Sequence, residues 1–164
     1  MFESCCSPHE SAHLLRARYG LPVEMFANRP FLSVGPTLEA ITLPAGLGRR
    51  VLERLRVGRE LLERAEQLPR PPVIADPRGR RWTLLTAPPA PYHPLPQQLL
   101  RRLHAHAVEL PEPGTRIMLP TTDLPLGWHW ASEPEPGTMR LPHRTVVLGA
   151  VRLSILAGAD NVPA

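Results

Sequence analysis

The stretch VIADPRGRRWTLLTAP, residues 73–88, constrains the fold more than any other part of the chain. Two apolar runs flank Asp76-Pro-Arg-Gly79, which has proline and glycine where a tight turn wants a fixed φ and a positive φ. The segment therefore predicts a β-hairpin, with strands over 73–75 and 81–87. Three arginines, Arg78, Arg80 and Arg81, cluster at or beside its tip. Upstream and downstream segments must supply partners for both faces of this hairpin.

Those partners are short. The chain has 22 prolines in 164 residues, scattered rather than in one run, which favours short elements with stiff connections. Residues 11–19 read as a helix with Ser11 as N-cap, stopped by Gly20 and Pro22. Strands are expected over 22–26 and 31–34, separated by a turn at Asn28-Arg-Pro30. Residues 38–43, LEAITL, read as a strand buried on both faces. The best amphipathic helix spans 47–68, with Leu47, Val51 and Leu55 on one stripe and Gly58 as a point where it could split. A second helix over 97–106 turns Leu99, Leu100 and Leu103 inward. Short strands follow at 107–110 and 116–119, then an extended Trp128-His-Trp130. A last helix over 144–157 carries Val147, Leu148, Val151 and Ile155.

This order predicts an α+β fold: a small mixed or antiparallel sheet with helices packed mainly on one face. One domain is expected over 11–157, with flexible tails at 1–10 and 158–164. A hydrophobic fraction of 43% supports a real core, and aromatics at 5% leave Leu, Val, Ile and Ala to fill it. No apolar run approaches the roughly 20 residues of a membrane helix. Together with a polar start and only two cysteines, this gives a cytoplasmic expectation without a disulfide framework.

All 19 basic residues are Arg, and the net charge is +4. That balance permits contact with nucleic-acid phosphates without demanding it. Cys5, Cys6, His9 and His13 are metal-capable, but adjacent cysteines suit a tetrahedral site poorly, and no metal or other cofactor is expected. His104 and His106 lie two apart on a helix and face different directions. Trp128 and Trp130 share one face of an extended segment, for packing or for stacking on a base or sugar. Gly46-Leu-Gly48 lacks the Lys and Ser/Thr of a phosphate loop, and no G-x-S-x-G elbow occurs. Asp76, Asp123 and Asp160 sit in turn-like contexts, where Asp serves the backbone.

From residue 11 onward the order of elements resembles the bifunctional primase-polymerase (Prim-Pol) domain of the archaeo-eukaryotic primase superfamily. The resemblance rests on SAHLLRARYGLPVEMF, LEAITLPAGLG, VIADPRGRRWTLLTAP and AVELPEPGTRIMLPTTDLPLGWHW. It implies a first motif with two metal-binding Asp two apart, where this chain has Glu39 and Ile41. It implies a phosphate-contacting His after the hairpin turn, where Trp82 stands, and a further metal-binding Asp, where Glu109 stands. The segment between the first strand and Glu39 is also shortened relative to the family. These departures imply a degenerate domain without polymerase activity, since two-metal transfer needs clustered carboxylates. Arg78, Arg80 and Arg81 are either a solvated hairpin tip or a grip on a phosphate backbone, which would make the chain an accessory protein that binds DNA, RNA or a nucleotide. The alternatives are a protein-interaction module that keeps only the fold, and a residual metal-dependent nucleotidyltransferase using Glu39 and Glu109.

Overall fold

The computed structural model describes residues 7–61, 69–88, 94–121 and 127–159. The hairpin forms at its expected place, as β4 (Val73–Ala75) and β5 (Arg81–Thr86), with Val73 opposite Leu84 and Ala75 opposite Trp82. Its turn is closed by the Gly79 N–H donating to the Asp76 carbonyl at 2.8 Å. The Asp76 Oδ1 accepts from the N–H groups of Arg80 at 2.6 Å and Arg81 at 2.8 Å. Gly79 has a φ of +62°, so a side chain there would strain the turn.

Strand β3 (Glu39–Pro44) pairs with the free side of β5, from Glu39 opposite Thr86 to Pro44 opposite Arg81. Strand β7 (His129–Ser132) pairs with β4, giving the sheet order β3-β5-β4-β7. A second sheet holds β1 (Glu24–Phe26), β2 (Arg29–Ser33) and β6 (Arg116–Met118) in the order β1-β2-β6. All these pairings are antiparallel, so two antiparallel sheets replace the single sheet expected. Ala27 and Asn28, with φ of +47° and +59°, make the β1–β2 turn, one position before the one expected. Positive φ at both central residues matches the twist of a two-residue hairpin.

The four-stranded sheet separates two cores, because its strands are apolar on both faces. Ile41, Leu43, Val73 and Leu84 point to one core; Leu38, Ala40, Ile74 and Leu85 point to the other. The first is covered by helices α2 (Ala45–Leu61), α3 (Gln97–Ala105) and α4 (Arg144–Ala159). The second is covered by α1 (Pro8–Tyr19) and the three-stranded sheet. Three helices on one face and one on the other fit the expected α+β arrangement. Each fully buried Leu or Ile contributes about 1.5–3 kcal/mol, so both cores matter to stability.

Several local expectations are corrected. Helix α1 begins at Pro8, inside the segment expected to be a tail, and Ser7 rather than Ser11 is its N-cap. The Ser7 N–H donates to Glu10 Oε2 at 2.6 Å and the Glu10 N–H to Ser7 Oγ at 3.3 Å, forming a capping box. Ser11 is buried inside the helix. Helix α2 continues through Gly58 without a break, and the stretch expected to extend it over 62–68 lies outside the described residues. Leu103 is buried and Leu99 half-buried, but Leu100 is 41% exposed rather than inward. The strand expected over 107–110 is reduced to one bridge, with the Thr42 and Glu109 backbones exchanging bonds of 2.9 and 2.7 Å. That bridge covers the β3 edge, which would otherwise offer unpaired backbone groups.

Candidate functional site

The hairpin tip is anchored to the start of α2. The Ala45 N–H donates to the Arg80 carbonyl at 2.8 Å, so the turn lies beside the positive end of the helix dipole. Arg78 and Arg80 are exposed there, and neither side chain forms an ion pair among the described residues. The nearby Asp76 carboxylate is occupied by its own turn. Arg81 differs: its Nη2 lies 3.0 Å from Glu109 Oε1 and 3.4 Å from the Ala107 carbonyl. Among the described residues the arginine trio thus divides into two members without an ion pair and one engaged with a carboxylate. Such a half-exposed pair is worth at most about 1 kcal/mol and can exchange partners.

Trp82 begins the surface that continues from the tip. Alternation along β5 turns it toward α2, with Leu84, while Arg81 points away. A Cβ on Gly48 would sit 2.5 Å from Trp82 Cε3, so only glycine lets the indole lie against the helix at this point. The Arg49 guanidinium stands 5.8 Å from the indole centroid, within cation–π range. The indole borders a cavity of about 240 Å³, with Arg49, Arg56, Arg59 and Arg70 among its walls. Arg56 is engaged by Glu53 and Glu60, the latter at 2.6 Å. Its hydrogen bond also holds the Glu53 carboxyl below its ordinary pKa. Trp82 is thus a packing residue with an arginine-rimmed outer edge.

The carboxylates named by the resemblance are each held by a different arginine. Glu39 shares the helix-facing side of β3 with Ile41 and Leu43, opposite Thr86. After β5, the Ala87 N–H donates to the Pro142 carbonyl at 2.9 Å and the Arg144 N–H to the Ala87 carbonyl at 3.2 Å. These bonds fix the start of α4, and Arg144 Nη1 lies 3.0 Å from Glu39 Oε2. The contact is an ion pair without hydrogen-bond alignment: Glu39 Oε2, Arg144 Nε and Thr86 Oγ1 are buried and unpartnered by hydrogen bonds. Ile41 is fully buried in the core. Glu109 is exposed and bridges to Thr42, three residues along β3, or roughly 10 Å at strand spacing.

The remaining candidates disperse. His9 and His13 are exposed on α1, and Cys5 and Cys6 lie outside the described residues. His104 and His106 are exposed at the end of α3. Asp123 and Asp160 also lie outside the described residues. Among the described residues, no group of three or more His, Cys, Asp or Glu side chains is placed to hold a metal ion. Trp128 and Trp130 pack against the core that α1 covers, as packing residues. No helix among the described residues is long and apolar enough to cross a membrane.

Sequence reasoning missed Arg49, Gly48 and Arg144. A glycine in the first turns of a strongly amphipathic helix, with no turn to make, was the available signal for Gly48. No protein-family model matches the chain, and no curated protein or solved structure shows significant similarity to it.

Proposed function

We propose that the protein is a non-catalytic, Prim-Pol-like module that binds nucleic acid through the hairpin tip. The observation that carries this reading is the pair Arg78 and Arg80, exposed beside the start of α2 without carboxylate partners among the described residues. Guanidinium forks suit phosphate oxygens, and a helix N-terminus adds favourable potential for anions. Arg49 extends the cationic surface from the tip over Trp82. Arg81 joins it by leaving Glu109, an exchange with little energetic cost at an exposed pair. Not every arginine is available in this way: Arg116 is stacked at 3.9 Å on the Phe26 ring.

Loss of polymerase chemistry is the second half of the proposal. Glu39 already has a cation beside it in Arg144, and Glu109 has Arg81. A divalent ion at Glu39 would have to displace a guanidinium that is 14% exposed. Binding of labelled single-stranded and duplex DNA and RNA at low salt, followed by fluorescence anisotropy, tests the first half. The account expects binding that Arg78→Ala/Arg80→Ala weakens for every sequence alike. Primer extension with Mg or Mn tests the second half. The account expects no product, and extension abolished by Glu39→Ala would overturn it.

A further inference from the structure

Helices α3 and α4 carry a feature that the hairpin surface does not use. A groove of about 230 Å³ runs between them, lined by Leu99, Leu103, Ile155 and Leu156 with Arg102 and Arg152. Leu103 forms a buried floor, Leu99 and Ile155 are half-buried walls, and Leu156 is 57% exposed at the rim. Leu153, 51% exposed, lies three residues before Leu156 and so neighbours it on the helix surface. Large apolar side chains left open around a concave surface mark a place where another apolar surface fits.

Among the described residues that line the groove, the charged side chains are Arg102 and Arg152, both cationic. Helix α3, QQLLRRLHA, contains Arg101 and Arg102, and α4, RTVVLGAVRLSILAGA, contains Arg144 and Arg152; neither has an Asp or Glu. Arg101, Arg102 and Arg152 form no ion pair among the described residues.

We propose that this groove docks an acidic amphipathic helix of a partner protein. Leucine-type side chains at i, i+3, i+4 and i+7 of that helix enter the groove, and flanking carboxylates pair with Arg102 and Arg152. A nucleic acid fits worse, because the groove offers its backbone an apolar lining and, among the described residues, its bases no aromatic platform. A second copy of this chain fits worse in a two-fold contact, because the same arginines would face each other. A lipid surface is flat, whereas the apolar residues here line a cleft.

The probe is a synthetic peptide of about 14 residues, helical length for a single docking element, with Leu at the four anchor positions and Glu elsewhere. Its binding to the full chain is followed by amide shift mapping and anisotropy. The proposal expects saturable binding with shifts confined to 96–103 and 152–156. Leu156→Asp, at an exposed position, and Arg102→Glu/Arg152→Glu should each weaken it by about tenfold or more. The same peptide with Lys for Glu should bind the wild type at least as weakly, and should recover binding to Arg102→Glu/Arg152→Glu. No binding, equal binding of the two peptides, or shifts centred on Arg78 and Arg80 would overturn the proposal. So would preferential binding of this face to phosphatidylglycerol vesicles, or self-association that Leu156→Asp removes.

Discussion

Arg144 Nη1 lies 3.0 Å from Glu39 Oε2, with the two side chains 14% and 22% exposed. A single guanidinium, delivered by the first residue of α4, neutralises the carboxylate at the start of β3. Removing one member of such a pair leaves a charge with little solvent. Arg144→Met is therefore expected to destabilise the fold by about 2–3 kcal/mol, below the 3–5 of a fully buried pair because Glu39 keeps some access to water. Glu39→Gln/Arg144→Met should recover much of that loss. Urea unfolding of the two single variants and the double variant measures the coupling, and strictly additive losses would contradict it.

Two glycines of α2 give opposite expectations for the same change. At Gly48 a methyl group would stand 2.5 Å from Trp82 Cε3 and 3.0 Å from Leu43 Cδ1, so Gly48→Ala should cost about 1–3 kcal/mol. At Gly58 nothing lies within 4 Å of the new Cβ, and Gly58→Ala should stabilise by about 0.5–1 kcal/mol through helix propensity. Thermal unfolding of both variants checks the pair. A neutral Gly48→Ala would mean that the indole does not pack against α2.

The α1 capping box sets a pH dependence. The backbone N–H of Ser7 is the main cause holding the Glu10 carboxyl below its ordinary pKa, with the Ser7 side chain adding to it. A depressed folded-state value means the unfolded chain binds the proton first. The stabilisation is therefore present above the ordinary carboxylate pKa and is lost as pH falls through the lowered one. Glu10→Gln should flatten the acid limb of stability against pH by lowering stability in the neutral region while leaving the acid end little changed. An unchanged acid limb would show that the box is not formed in solution.

Much of this architecture was legible in the residues themselves. Asp76-Pro-Arg-Gly79 specifies a turn by local chemistry, and the hairpin appears where that chemistry places it. The mixed apolar character of 38–43 pointed to burial on both faces, and Ala40 and Ile41 do enter different cores. Ser7-Pro8-His9-Glu10 also carried a readable cap signal, but Ser11 competes with it as a start residue. The site was less legible. Nothing near Glu39 in the chain announces Arg144, because α4 reaches it only after the backbone beyond β5 has been pinned at Ala87. Leu100 follows Leu99 by one position on α3, and a contiguous Leu pair does not say which member faces in. Whether an arginine is unneutralised depends on distant acids, which is why Arg81 separates from Arg78 and Arg80 only in three dimensions.

Salt dependence of nucleic-acid binding tests the central claim most directly. Each phosphate contact releases counterions, so the logarithm of affinity falls linearly with the logarithm of salt concentration. Titration of the wild type and Arg78→Ala/Arg80→Ala at several ionic strengths should give measurable binding at low salt. The slope should be shallower in the variant by about 2, one for each arginine removed. Absence of binding at the lowest salt, or identical slopes in the two proteins, would contradict the assignment of the hairpin tip as a phosphate-binding surface.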